Sequence, residues 1–339
     1  MGFLRPNNAV GLDIDTAEIR AVELSGSIQS PKLVRFGRMP LPGGAVIEGM
    51  IADPVVVEDA LHQLWSDAGF SSRELILGVS NQGVLVRFAA FPKVADNKVD
   101  NLIRFQAQEH IPFPLDSVVL DYLIVGEATG DVGDTLEVLL VAGKRDMLNT
   151  FIEVASGADL KVRDIDVSSL ALQQVLPSDD STGTVAIINI ANELSSILVV
   201  ENETPRFARI IPTGLQAATE FFNCSLNEVV PITVANKLKL VWSEEAVSAW
   251  GEMLAGEINS SLSYYQTQQK GAAIEKVFLS GRGARMDGLA ERLQDNLGLP
   301  AEVLHPFDKI AVPNKNLGIS SVAQDFTVSV ALARRGLEV

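Results

Sequence analysis

From Ala9 to Ile14 the chain alternates, with Val10, Leu12 and Ile14 on one side and Ala9, Gly11 and Asp13 on the other, which predicts a β-strand. A polar stretch, Asp15–Glu18, leads to a second strand at Ile19–Leu24. The turn Gly26–Pro31 leads to a third at Leu33–Met39. Three short consecutive strands make a meander. The period then changes: Val57, Leu61, Leu64 and Ala68 recur at helical spacing over Asp53–Ala68, with Asp53 placed as N-cap ahead of Pro54.

The same plan returns in the second half. Val185–Ile190, Ser195–Glu201 and Arg206–Ile211 read as three strands, joined by Ala191–Leu194 and Asn202–Pro205. At an offset of 176 positions Asp13 falls on Asn189 and Asp15 on Ala191. Two related α/β lobes in one chain explain this, although two independent meanders would give the same periodicity. Pro177–Gly183, rich in Ser, Asp and Thr, is the expected boundary. Between the first helix and that boundary lies a further block. Glu74–Ser80, Val84–Phe91, Leu120–Val125 and Leu136–Ala142 read as strands, and Asn97–His110 and Arg145–Ser156 as helices. This pattern predicts a small α+β module inserted into the first lobe. Helices are expected at Gln216–Phe222, Thr233–Leu240, Glu244–Tyr265 and Leu289–Leu297, with a strand at Val277–Leu279.

Composition narrows the function. The 339 residues carry 27 Lys and Arg against 43 Asp and Glu, a formal charge of −16, which disfavours nucleic acid and anionic lipid as partners. One cysteine, Cys224, excludes an internal disulfide. Apolar runs such as Leu136–Ala142 are far shorter than the ~20 residues of a membrane span. Met1–Pro6 carries one Arg and no following apolar stretch, so no secretory leader is expected. His62, His110 and His305 are scattered, and no His or Cys cluster has metal-ligand spacing. Gly143-Lys144 lacks the rest of a P-loop, Gly281-Arg282-Gly283 has Met286 where a dinucleotide loop needs its third Gly, and no nucleophile elbow occurs.

The segment Leu102–Asp116, reading LIRFQAQEHIPFPLD, with Leu120-Asp121-Tyr122 after it, resembles the Arg-x-Glu-Ala-Glu-x-Tyr-Ile-Pro-Phe-Pro segment of the PilM family of type IV pilus assembly. Leu139–Arg145, Val162–Leu172, Glu257–Tyr265 and Ala301–Phe307 resemble further family stretches, in order and across nearly the whole chain. The resemblance implies an α/β, actin-like fold of duplicated RNase H-like lobes with a nucleotide cleft between them, and a small α+β subdomain inserted in the first lobe, as in FtsA. It implies a first lobe over residues 1–182 with its insert at about 71–160, a second lobe over 183–325, and a C-terminal helix over 326–339 returning to the first lobe. It also implies a cytoplasmic protein held at the inner membrane by the N-terminal tail of a PilN-like bitopic protein, among other platform proteins, with self-association left open. An acidic body predicts a net basic tail. The family's peptide groove lies between the first lobe and its insert, and Glu109, Ile111, Pro112, Phe113, Pro114 and Asp121 are the local candidates for it. Alternatively Ile111–Pro114 is a rigid turn that seats the insert. The chain stops at Arg334–Val339, too short for the amphipathic membrane anchor of an FtsA-like polymer.

The resemblance places ATP and Mg²⁺ in the cleft, and there this sequence departs from the family. The first turn reads Asp13-Ile14-Asp15-Thr16 where the family has Gly in place of Asp15; Asp13 is the residue that would serve Mg²⁺ if nucleotide binds. A carboxylate at position 15 would face phosphate oxygens, with a repulsion of roughly 1–4 kcal/mol at ~4 Å. The second turn reads Asn189-Ile190-Ala191-Asn192 in place of Asp-Ile-Gly, losing an acid and a close-approach Gly. On the ribose side Lys239 remains but Asn236 replaces a common Glu, and the adenosine loop is Ser280-Gly281-Arg282-Gly283. These changes point to a docking scaffold with weak or lost nucleotide binding. A working actin-like ATPase, resting on Asp13, Thr16 and Lys239, is the alternative.

Overall fold

The computed structural model describes residues 8–130, 133–177, 183–230, 243–268 and 271–338. Strands β1 (Asn8–Ile14), β2 (Glu18–Ser27) and β3 (Ser30–Pro40) form the first meander. A two-stranded ribbon, β4 (Val46–Ile47) and β5 (Met50–Ile51), follows and leads to helix α1 (Pro54–Ala68). Asp53 caps α1 as its sequence position suggests, accepting the Val56 N–H at 3.2 Å. Gly69, in the left-handed region at φ 63°, ends the helix by donating its N–H to the Trp65 carbonyl.

Strand β6 (Glu74–Val79) pairs in parallel with β1, so it belongs to the first lobe and not to the insert. The insert proper has strands β7 (Val84–Pro92), β8 (Val118–Gly130) and β9 (Gly133–Lys144) in the order β7-β9-β8, with helix α2 (Asp96–Gln106). Helix α3 (Arg145–Gly157) returns to the first lobe, where Met147, Phe151, Val154 and Ala155 join the core under α1. At both ends of residues 71–160, β6 and α3 thus turn apolar faces to the lobe. Helix α2 also stops before His110. A 3-10 turn at Ala107–Glu109 replaces its last turn, ahead of Pro112, which disfavours helical geometry in the residue before it. Strands β8 and β9 outrun the apolar stretches that predict them, into a polar hairpin end with no core to meet.

Strand β10 (Lys161–Val167) completes the first sheet, in the order β10-β6-β1-β2-β3. Helix α4 (Ser168–Ala171) and a 3-10 turn, Leu172–Val175, cross to the second lobe. There β11 (Thr184–Ile190), β12 (Ser195–Glu201) and β13 (Thr204–Ile211) form the second meander. Helices α5 (Leu215–Phe222), α6 (Leu226–Val229) and α7 (Glu244–Gln268) come next, then β14 (Lys276–Ser280), α8 (Leu289–Leu297) and β15 (Ala301–Val303). The second sheet runs β13-β12-β11-β14-β15, the first sheet's topology repeated, with β11 displaced from β1 by the predicted 176 positions. The helix expected at Thr233–Leu240, with Asn236 and Lys239, lies outside the described residues.

Helix α9 (Thr327–Gly336) packs on β1, β2 and β6. With the α4 crossover it fills the space between the sheets, in one core that joins Val22, Leu24 and Ile76 of the first lobe to Ile187, Leu198 and Phe278 of the second. Separate cores lie under the outer helices of each lobe and in the insert.

Candidate functional site: a closed cleft and an open groove

The two meander turns face each other across the cleft, and side chains of this chain occupy the space between them. Asp13 of β1 sits directly opposite Arg20 of β2 in the antiparallel register. The buried Arg20 guanidinium donates to Asp13 Oδ2 at 2.7 Å, to Asp15 Oδ2 at 2.9 Å and to Glu18 Oε1 at 2.9 Å. Burial pushes the Asp13 carboxyl above the usual carboxylate range; Arg20 pulls it back down and neighbouring Asp15 adds to the rise. Asp15 reaches across the cleft as well, accepting from Asn192 Nδ2 at 2.6 Å. Far from facing an anion bare, the Asp15 carboxylate is held by a guanidinium and an amide.

The rest of the cleft is engaged in the same way. Thr16 Oγ1 donates to Glu193 Oε2 at 2.8 Å, and that oxygen also accepts the Glu48 N–H at 2.7 Å, tying the first lobe to the second. Asn189 Oδ1 accepts from Ser280 Oγ at 3.1 Å, and Ala191 closes its turn by an N–H bond to the Leu194 carbonyl. Arg282 is fully buried; it donates to the Val230 carbonyl at 2.9 Å, Asn227 Oδ1 at 2.8 Å and Asn192 Oδ1 at 3.2 Å. Gly281 and Gly283 have a packing reason: a Cβ on either would stand 2.5 Å from the Ile190 carbonyl oxygen or 2.3 Å from Ile190 Cγ2. The space left among Asp13, Thr16, Gly49, Asn189 and Ser196 is about 30 Å³, room for about two waters. In this arrangement the described residues around the two turns do not fit a magnesium nucleotide. Asp13, the acid that would serve the metal, is already paired with Arg20, and Arg282 fills the loop below.

A much larger opening lies between the insert and the first lobe. This groove, of about 650 Å³, is walled by Val119, Asp121, Tyr122 and Leu123 of β8, by Leu148 and Ile152 of α3, by Val162–Val167 of β10, and by Leu170 and Arg335. Leu123 is 51% exposed and Ile152 41%, so the walls offer apolar surface to solvent. Of the six groove candidates in the sequence, Asp121 alone lines it. Ile111 is buried in the insert's own core, Phe113 lies under the Lys144 ammonium at 4.8 Å, and the Pro114 carbonyl accepts the Ser117 N–H. Glu109 and Pro112 are exposed beside that turn. Within this stretch Ile111 and Phe113 pack on the insert's own core. The groove's other residues come from several separate segments, and the signal for them was the surplus of apolar residues in β8 and α3 beyond one buried face.

Asp166 of β10 lies on the groove wall, mostly buried. Burial raises its pKa to about 6, against the pull of Arg335, whose Nε lies 3.1 Å from Oδ2. An acid with a raised folded pKa loses stability as pH climbs from its unfolded value near 4 to about 6, because the unfolded chain gives up the proton first. Asp166→Asn keeps an oxygen to accept the Val167 N–H, now bonded at 2.8 Å. It is expected to stabilise the protein by about 1–3 kcal/mol at pH 7.5, and by less at pH 5. Thermal melts at both pH values check this; an equal gain at both would refute the titration.

Two lobes of repeated topology, packed on shared crossing helices around a cleft, define an actin-like protein, here with a three-stranded insert in the first lobe. The chain belongs to the family described as type IV pilus assembly protein PilM, whose model matches residues 11–337. Among solved structures it is similar to a PilM–PilN type IV pilus biogenesis complex, with TM-score 0.83 and 26% identity over 98% of this chain and 99% of that one. The ethanolamine utilization protein EutJ from Carboxydothermus hydrogenoformans shares the fold at TM-score 0.57 and 14% identity, over 98% and 91% of the two chains. MreB5 of Spiroplasma citri bound to ADP does so at 0.52 and 9%, over 96% and 94%. The cell division protein FtsA of Bacillus subtilis (strain 168) is 21% identical over 93% of this chain and 76% of its own length.

Proposed function

We propose that this actin-like pilus assembly protein works as a docking scaffold of the inner-membrane platform, with nucleotide binding weak or lost. The groove between insert and first lobe takes the cytoplasmic N-terminal tail of a PilN-like bitopic membrane protein. The observation that carries this reading is the contrast between the two openings: an apolar-walled groove of about 650 Å³ and a cleft of about 30 Å³ occupied by Arg20 and its acids. A similar solved structure is described as a PilM–PilN complex, which supports the choice of partner. Among the described residues no helix is long and apolar enough to cross a membrane. A partner that spans the bilayer would hold this chain at the cytoplasmic face of the inner membrane.

Calorimetric titration tests both halves. A synthetic peptide with the partner's cytoplasmic N-terminal residues is expected to bind the parent protein. The groove-wall variant Ile152→Arg, at an exposed position, should weaken that binding at least about tenfold, the equivalent of 1.4 kcal/mol. Magnesium ATP is expected to bind more weakly than millimolar. Tight ATP binding with turnover would reject the scaffold reading, and full peptide affinity in Ile152→Arg would reject the groove.

A further inference from the structure

The groove wall formed by β10 is a strand edge. In the sheet order β10 is terminal, paired on one side with β6, and its six consecutive residues Val162–Val167 face the opening. A free edge presents N–H and C=O groups that a further strand would satisfy. Here two of those donors already have acceptors. The Ile165 N–H donates to Asp164 Oδ1 at 2.8 Å, and the Val167 N–H donates to Asp166 Oδ1 at 2.8 Å. Residues two apart in a strand point their N–H groups to the same side. Each carboxylate oxygen therefore stands where a carbonyl of an added strand would stand.

The other oxygen of Asp166 gives an independent indication. Oδ2 is buried and makes no hydrogen bond; its near neighbour is Arg335 Nε, in ionic contact but out of line for donation. A buried carboxylate oxygen without a donor is costly. It is a site for a donor from whatever fills the groove. Exchanging one oxygen acceptor for another at Ile165 and Val167 is close to neutral. Burial of alternate apolar side chains against the walls, and a donor for the released carboxylates, would then drive binding.

Resting on the groove reading above, we infer that the partner's tail docks as an extended strand added to the free edge of β10. Its carbonyls take over the Ile165 and Val167 N–H groups, and the Asp164 and Asp166 carboxylates turn to a basic side chain of that tail. The aspartates keep the empty edge from pairing with stray strands and select a basic tail when one arrives.

Amide hydrogen exchange on the full chain, with and without the synthetic tail peptide, reads this directly. Ile165 and Val167 are expected to become protected on binding. The double variant Asp164→Asn, Asp166→Asn is expected to bind the peptide several-fold more weakly and with less dependence on salt. Protection of Tyr122, whose N–H is held by Asp121 in the same way on β8, in place of Ile165 and Val167 would overturn the assignment to β10. If Ile152→Arg abolishes binding but neither edge is protected in the parent, strand addition fails while the groove reading stands. Peptide affinity unchanged in the double variant would overturn the role of the carboxylates.

Discussion

Arg20→Met is expected to destabilise the protein by about 3–5 kcal/mol, the usual cost of removing one partner from a buried ion pair. In a chain of this size that is a fall in Tm of roughly 5–10 °C. The side chain of Arg20 is 4% exposed, and the three carboxylates it holds, on Asp13, Asp15 and Glu18, are 11%, 9% and 0% exposed. Methionine fills much of the same volume, so packing changes little and the loss reports charge. Without the guanidinium, Asp13 and Asp15 face each other in a site already dry enough to raise the Asp13 carboxyl. Protonation relieves that repulsion, so the variant's deficit should shrink as pH falls from 7 to 5. A second substitution, Asp15→Asn, should recover part of the loss, since Asn192 can still donate to the new amide oxygen. Chemical denaturation of the four proteins of this cycle measures the coupling. A deficit under 1 kcal/mol, or one independent of pH, would mean that the cleft network contributes little.

The cleft also marks how far the sequence could be read. Asp15 in a turn where a family resemblance expects Gly looks like a charge set against phosphate. The residue that answers it, Arg20, is only five positions on and directly opposite Asp13 once the meander's register is drawn. Cross-strand pairing is a local rule, and this pairing was legible in principle. The repeated lobes were legible because both meanders are built of short, apolar-rich strands separated by polar turns at the same spacing. Arg282 was not. Its partners Asn227, Val230 and Asn192 come from other elements of the second lobe, and nothing in the pattern around Ser280–Gly283 indicates that an arginine can be satisfied there. The groove was legible only as a location. Its walls need β8, α3, β10 and α9 to meet, and of the six residues singled out for it only Asp121 lies there. The Ile-Pro-Phe-Pro stretch stands out because proline restricts the backbone, and its Ile111 and Phe113 pack on the insert's own core.

Two glycines should respond to alanine in opposite directions, Gly11 in β1 and Gly256 in α7. A Cβ on Gly11 would stand 2.1 Å from the Ser329 carbonyl oxygen and 2.5 Å from the Ala333 nitrogen, both main-chain atoms of α9. No rotamer change relieves that contact; the helix has to leave the sheet. Gly78 and Gly336 repeat the close approach, meeting Leu332 and Ala9. Gly11→Ala is therefore expected to cost about 3 kcal/mol or more, at the upper end for overpacking. The effect should reach the groove, because α9 brings Arg335 to Asp166 and the Gly336 carbonyl to Arg163, bonded at 2.7 Å. Affinity for the tail peptide should fall together with stability. Gly256, in the interior of α7, has open space where its Cβ would be. Gly256→Ala should stabilise by about 0.5–1 kcal/mol, through helix propensity and a less flexible unfolded chain, with no change in peptide binding. Denaturant melts and peptide titrations on the two variants measure both effects. Equal stability of Gly11→Ala and the parent would mean that α9 rests on the first lobe more loosely than these contacts require.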